Sequence, residues 1–108
     1  MLFTITAKRI DLPAAVREHA QKKTSKLSRY YSSINQIEVV IDGSRAGMVS
    51  VEIIARAEHS KVFVVSQTSE DVYRCIDLAA HKLQQQLRKR KGRERDEKQG
   101  GRRIDNSR

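Results

Sequence analysis

The 108 residues, 38% of them apolar, are enough for one domain with a modest hydrophobic core and exclude a large multidomain protein. The only cysteine, Cys75, excludes an intrachain disulfide and with it a secreted disulfide scaffold. The net charge of +9 indicates a polyanionic partner and carries no information about the fold.

The first half of the chain predicts a strand, a helix and a second strand. Residues 2–7 alternate between apolar and polar, which is typical of a strand. Pro13 suits a first helical position, and apolar residues recur at helical spacing from residue 14 to about residue 30. Residues 37–42 alternate again, so we predict a second strand there.

The second half predicts two more strands and a long helix. Residues 48–58 and 61–67 have strand patterns, and a helix follows with Thr68 or Ser69 as its N-cap. Its apolar stripe runs from Val72 to Leu87, and Gly92 predicts its end. The residues after Gly92 have the composition of a disordered tail. We therefore predict a domain of residues 1–91 and a basic tail of residues 92–108.

The predicted element order is β-α-β-β-β-α, an α+β fold. The three consecutive strands form an antiparallel meander, and the helical crossover places the first strand parallel to a neighbour. Both helices carry one apolar stripe and each strand has one apolar face. We therefore expect two helices packed on one face of a four-stranded mixed sheet, with the other face in solvent.

Positive charge is concentrated on both helices and on the tail. Residues 88–108 carry 10 Lys and Arg against 4 Asp and Glu. At about 100° per residue, one flank of the first helix and the outward face of the second are basic. The residues concerned are Lys22, Lys26 and Arg29 on the first helix, and Arg74, His81, Lys82, Arg88 and Lys89 on the second, extended by Arg90 and Lys91. Two simpler interpretations stay open: these are ordinary solvated helix faces, and the basic tail only promotes solubility.

Among polyanions, structured RNA fits this pattern better than a membrane or a specific DNA site. The apolar helix faces are needed for the core, which leaves none for a membrane surface. Helix-turn-helix and zinc-module patterns are absent from the sequence. Tyr30 and Tyr31 offer rings for base stacking, although the alternative is that one belongs to the core and the other is a partly exposed neighbour. Since the sequence also lacks a signal-peptide pattern and a membrane-length apolar run, we expect a soluble cytoplasmic protein.

Catalysis has little support in the sequence. A phosphate-cradling glycine loop is missing, and His19, His59 and His81 do not have metal-ligand spacing. Cys75 lies on the apolar stripe of the second helix, where it is expected to be an inert small hydrophobe. We expect a protein that is not an enzyme and needs no cofactor, metal or small-molecule substrate.

The segment DVYRCIDLAAHKLQQQLRKRK resembles the signature helix of the ribosome hibernation factors. That helix reads Asp-x-Tyr-x-Ala-Ile-Asp, then Lys-Leu-x-x-Gln-Leu, then a basic run ending in lysine. Ten positions fall in register here: Asp71, Tyr73, Ile76, Asp77, Lys82, Leu83, Gln86, Leu87, Lys89 and Lys91. The segment LPAAVREHAQKKTSKLSRYYSSINQIEVVI is similar to the first helix and second strand of the same family. The resemblance covers about residues 1–91, without a separate C-terminal domain, as in the short form of the family.

The resemblance implies a factor that binds the small ribosomal subunit and its ribosomal RNA at the decoding centre. It would occupy the channel for messenger RNA and transfer RNA anticodons and inhibit translation in stationary phase or stress. Family residues carried over by position are Lys22, Lys26, Arg29, Lys82, Arg88, Lys89 and Lys91; Arg74 joins them because it lies in line with Arg88. We expect a monomer when the protein is free. Some members carry the name sigma-54 modulation protein.

Two departures from the family pattern affect the second helix. Cys75 replaces the usual alanine, and AHK stands where an acidic residue commonly precedes the lysine, which makes this helix more basic. Short members either promote or obstruct the pairing of inactive ribosomes. We expect promotion, although the tail aligns with nothing in the family and leaves that point open.

The alternative function is a general double-stranded RNA-binding module, whose α-β-β-β-α order is contained in this one. The leading strand counts against it, as does the acidic first turn SEDV of the last helix, where that family has a lysine cluster.

Overall fold

The computed structural model describes the backbone of residues 1–43 and 46–106 and the side chains of residues 1–43 and 46–95. The elements follow in the predicted order: β1 (Leu2–Lys8), α1 (Ala14–Ser25), a 3₁₀ turn (Lys26–Arg29), β2 (Ile34–Asp42), β3 (Val49–Ala57), β4 (Lys61–Ser69) and α2 (Val72–Asn106). The predicted α+β class is confirmed.

The sheet has four strands in the order β1-β2-β3-β4. Strand β1 is parallel to β2, with Phe3 opposite Ile37. The two strands run in the same direction because α1 carries the chain back to the end of the sheet where β1 began. Strands β2, β3 and β4 form the predicted antiparallel meander. The mixed four-stranded sheet is therefore confirmed.

Both helices pack on one face of this sheet and form the core with it. Strand residues that alternate along β2 and β3 are almost completely buried, and α2 buries its apolar stripe against β3 and β4. The other face of the sheet is open: Val62 and Val64 on β4 are 54% and 47% exposed. The fully buried side chains include Leu27, Ile37, Val39, Ile41, Val51, Ile53, Cys75, Ile76, Leu83 and Leu87. Two layers therefore leave the outward surface of the helices free for a partner.

The first helix is shorter than predicted, because α1 ends at Ser25 and continues as the 3₁₀ turn. The buried hydroxyl of Thr24 donates to the carbonyl of Ala20 at 2.9 Å, and Ser25 donates to that of Lys22 at 2.9 Å. Hydroxyl side chains that bond to carbonyls one turn back weaken a regular helix, and a tighter 3₁₀ turn is a common ending.

The second helix begins two or three residues later than predicted. Ser69 still belongs to β4, where it is paired with Val49, so neither Thr68 nor Ser69 is the N-cap. Asp71 takes this role: its Oδ1 accepts from the backbone N–H of Tyr73 at 2.9 Å. The first helical bond runs from the N–H of Cys75 to the carbonyl of Asp71 at 2.8 Å.

The predicted end of the second helix at Gly92 was wrong, because α2 continues to Asn106. A single glycine costs a helix about 1 kcal/mol relative to alanine, which neighbouring contacts can offset. Such contacts are present, since Glu94 pairs with Arg90 one turn earlier and with Lys61 on β4. The division into a domain of residues 1–91 and a tail of residues 92–108 stays a prediction, and residues 107 and 108 lie outside the described residues.

Candidate nucleic-acid interface

The eight basic residues predicted as RNA contacts all lie in the helical layer. Each has an exposed side chain on α1, on the 3₁₀ turn or on α2. The set is Lys22, Lys26, Arg29, Arg74, Lys82, Arg88, Lys89 and Lys91. The eight residues therefore lie on exposed parts of the helical layer, and none of them belongs to the sheet.

A groove between the two helices brings some of them together. We call it the interhelical groove; it has a volume of about 340 Å³ and is lined by Lys23, Lys26, Leu27, Arg29, Tyr30, Asp77, Ala80, His81 and Gln84. Leu27 and Ala80, which are 2% and 7% exposed, belong to the core and form its floor. Arg88 lies at one end, with its guanidinium carbon 5.9 Å from the centre of the Tyr30 ring.

Asp77 links the two helices across the groove. Its Oδ1 lies 2.7 Å from Nε2 of His19 and 3.7 Å from Nζ of Lys23, both on α1. The His19 ring also meets the Tyr73 ring edge-on, with 5.1 Å between centroids. The sequence analysis did not predict this contact. The pattern that could have indicated it is that Asp77 shares a helical face with Ala80, His81 and Gln84.

Lys82 and Lys89 lie on the other side of α2. The Nζ of Lys82 donates to the carbonyl oxygen of Ser66 on β4 at 3.4 Å, so this side chain points away from α1. Lys89 follows two helical turns later and shares the same side. We call this pair the β4 shoulder. The eight residues thus occupy one layer, but the groove and the shoulder are separate rows of charge.

Two of the remaining three residues, Lys22 and Arg74, extend the surface. Lys22 precedes Lys26 by one turn on α1 and continues the groove rim outward. Arg74 lies near the start of α2, in line with His81 and Arg88 at intervals of seven residues.

The family model described as "Sigma 54 modulation protein / S30EA ribosomal protein" matches residues 3–95. The chain belongs to this family. The resemblance inferred from the sequence is therefore confirmed, and in this family the chain is a binding protein and not an enzyme.

Three relatives show how far the similarity extends. The chain is 29% identical to the ribosome hibernation promoting factor of Azotobacter vinelandii, covering 97% of this chain and 96% of that one. It is 30% identical to the ribosome hibernation promoting factor of Escherichia coli K12, over 84% and 94%. The solved structure of a ribosomal subunit interface protein from Coxiella burnetii has a TM-score of 0.78 at 25% identity, over 85% and 99%.

Lys91 is the last of the eight residues. It lies on α2, near the point where this helix passes the end of the sheet. It lines a depression together with Tyr31, Ser32, Ser33, Lys61, Glu94 and Arg95. In this depression, Oε2 of Glu94 accepts from the Tyr31 hydroxyl at 2.7 Å, from Nζ of Lys61 at 2.8 Å and from Nε of Arg90 at 3.0 Å. We call these four residues the Glu94 clamp.

The electrostatics of the clamp follow from those bonds. Hydrogen bonds from Lys61 and then Tyr31 lower the pKa of Glu94 to about 2, since they stabilise the charged carboxylate. The bond to Glu94 in turn raises the pKa of Lys61. Lys61 is therefore already engaged. Sequence patterns do not reveal this pairing, because the two residues are 33 positions apart in the chain.

Of the two adjacent tyrosines, one belongs to the core and the other is partly exposed, as one interpretation of the sequence predicted. Tyr31 is 5% exposed and packs edge-on against Phe63, with 5.2 Å between the ring centroids. Tyr30 is half-buried and turns one face towards Arg88. Only Tyr30 is therefore placed to meet a ligand in the groove.

The described residues offer little support for a catalytic nucleophile or for a metal site. Cys75 is completely buried, and this burial raises the pKa of its thiol, which keeps it protonated and unreactive. Within residues 1–43 and 46–95, no three His, Cys, Asp or Glu side chains are grouped as metal ligands would be. Among the described helices, none combines the length and hydrophobicity of a membrane span.

Proposed function

We propose that this protein is a ribosome hibernation factor that binds the small ribosomal subunit and its ribosomal RNA. The site is the decoding centre, in the channel for messenger RNA and transfer RNA anticodons, and the result is inhibited translation in stationary phase or stress. We further propose that the bound protein promotes pairing into inactive ribosomes. Relatives named ribosome hibernation promoting factor, which match almost the whole chain, support this assignment.

One structural observation carries the proposal: eight exposed cations lie on the helical layer of a small rigid domain. Each phosphate that such a cation neutralises releases condensed counterions, which favours binding to RNA. Because both helices are anchored to one sheet, the charges keep a fixed arrangement, as recognition of folded RNA by shape requires.

The mechanism needs no bond to be made or broken. A protein bound in the channel excludes messenger RNA and transfer RNA by occupying their space, and its effect follows from mass action. This function also implies a cytoplasmic protein that is a monomer when it is free.

Co-sedimentation with small ribosomal subunits in a sucrose gradient tests the proposal. The double variant Lys82→Glu/Lys89→Glu is expected to abolish binding while its circular dichroism spectrum stays unchanged. The single variant Lys26→Glu tests the groove. Its control is Lys8→Glu, which changes the net charge equally but alters an exposed residue at the end of β1.

Three outcomes would contradict the proposal or its site. If wild-type protein does not pellet with subunits, the function is wrong. If Lys82→Glu/Lys89→Glu pellets normally, the shoulder is not a contact. Equal affinity for naked RNA duplexes and for subunits would favour the double-stranded RNA-binding alternative.

A further inference from the structure

The interhelical groove has features that a set of phosphate contacts does not require. Phosphates need only exposed cations, yet this groove is also lined by the Tyr30 ring and the Gln84 amide, above the buried Leu27 and Ala80. The groove has a volume of about 340 Å³, similar to that of the other depressions on the described surface, so its lining and not its size distinguishes it. A flat, partly apolar group of limited size fits such a space.

One end of the groove offers a stacking platform. The Tyr30 ring is held against the core, and the Arg88 guanidinium lies 5.9 Å from its centre. Nucleobases stack on aromatic rings and on guanidinium planes, irrespective of base identity. A partner with a planar π-system is therefore favoured at this end.

The wall formed by α2 supplies hydrogen-bonding groups next to that platform. Gln84 is half-buried and carries an amide with both donor and acceptor, and His81 lies one turn earlier on the groove. The edges of nucleobases also present donors and acceptors, so an amide here can pair with a base edge.

The rim selects RNA rather than a peptide. Lys26 and Arg29 are exposed on one side and Arg88 at the end, whereas the one carboxylate lining the groove, Asp77, is paired with His19 and Lys23. Cations flanking a slot for a planar ring match a nucleotide, in which a base is flanked by phosphates.

From these features we propose that the interhelical groove binds one unpaired nucleobase of RNA. The base stacks on the outer side of the Arg88 guanidinium, which the Tyr30 ring supports, its edge meets Gln84, and the adjoining phosphates lie on Lys26 and Arg29. This inference rests on the proposed function, since it names what the groove takes from ribosomal RNA. It adds a base-binding site to a surface otherwise described by charge alone.

Nuclear magnetic resonance titration at low salt tests the inference, with AMP, GMP, CMP and UMP as probes and ribose 5-phosphate as the ligand without a base. Nucleotides are expected to shift resonances of groove residues and to bind about 5- to 150-fold more tightly than ribose 5-phosphate, the range usual for stacking of one base. Tyr30→Leu and Gln84→Ala should remove most of this preference. Lys26→Ala should weaken the binding of nucleotides and of ribose 5-phosphate equally.

The chain offers a matched control for Gln84. Gln85 is the next residue on α2 and is exposed outside the groove, so Gln85→Ala should bind nucleotides as wild type does. Circular dichroism identifies any variant that fails to fold. Gln84→Ala removes a much smaller contact with the core than Tyr30→Leu does. Gln84→Ala therefore still tests the inference if Tyr30→Leu fails to fold.

The inference and the proposed function fail in different ways. Equal binding of nucleotides and ribose 5-phosphate, or resonance shifts outside the groove, overturns the base site even if the protein pellets with ribosomal subunits. Absence of pelleting by wild-type protein overturns the ribosomal function, whereas a nucleotide preference lost in Gln84→Ala would still support the base site.

Discussion

Nζ of Lys61 lies 2.8 Å from Oε2 of Glu94 and joins edge strand β4 to α2 across 33 residues of sequence. The bond holds the part of α2 beyond the sheet in a defined direction, since the Tyr31 hydroxyl and Arg90 donate to the same oxygen. The Glu94 clamp therefore links helix, turn and sheet at the most basic end of the domain.

Replacing Glu94 by glutamine should make the protein less stable at neutral pH and less sensitive to acid. The folded-state pKa of Glu94 is lowered from 4.5 to about 2, so its stabilisation is complete above about pH 4.5. It is lost as the pH falls from about 4.5 to about 2. Thermal unfolding by circular dichroism across this range should show the melting temperatures of wild type and Glu94→Gln converging at the acid end.

The control for that comparison is Glu18→Gln, which removes an exposed carboxylate from α1. Its melting temperature should follow that of wild type throughout the same acid range. A gap between wild type and Glu94→Gln that is as large at about pH 2 as at neutral pH would contradict the clamp.

Gly92→Ala should stabilise the long helix, whereas Gly43→Ala should destabilise the domain. A Cβ at Gly92 meets nothing within 4 Å, and alanine is better than glycine in a helix by about 0.5–1 kcal/mol. A Cβ at Gly43 would lie 2.9 Å from the Arg9 carbonyl oxygen and 2.9 Å from Cβ of Ile10, a clash that typically costs about 1–3 kcal/mol. Urea unfolding and helical content by circular dichroism measure both effects. Equal urea midpoints for Gly92→Ala and wild type would contradict a helical position for Gly92.

The sequence predicted the fold well because each element carries its own periodic signal. Alternation along β2 and β3 and the apolar stripe of α2 identify which faces meet, and two layers are then the natural solution. The helix end at Gly92 was predicted wrongly because the prediction used only the local preference of glycine for helix ends. It did not include the contact of Glu94 with Lys61, which is distant in sequence. Local rules do not report such tertiary contacts.

For the candidate site, the choice of RNA-contacting residues stays a prediction, and the sequence did not predict how the structure groups them. Spacing of about 100° per residue places Lys82 and Arg88 around one helix, yet it does not say which neighbour each side faces. The contact of Lys82 with Ser66 and that of Arg88 with Tyr30 separate the shoulder from the groove. Both contacts depend on how α2 is rotated on the sheet.

Asp77→Asn should loosen the contact between the two helices. The substitution removes the negative partner of His19 and Lys23, at distances of 2.7 and 3.7 Å. Since the Asp77 side chain is 47% exposed, the expected loss is about 0.2–1 kcal/mol and should shrink as salt is added. Urea unfolding at low and high salt measures it, with Glu58→Gln at an exposed position after β3 as the control. A loss that is independent of salt would contradict an ionic role for Asp77.

The salt dependence of subunit binding should identify which lysines contact phosphate. Each phosphate contact contributes about 0.7–0.9 to the slope of log affinity against log salt concentration. Lys82→Ala is therefore expected to weaken binding and to reduce the slope by about that amount, whereas Lys8→Ala should leave both unchanged. Affinities measured between about 50 and 200 mM salt provide the slope. If Lys82→Ala weakens binding while the slope stays at its wild-type value, Lys82 acts through its bond to Ser66 and not through RNA.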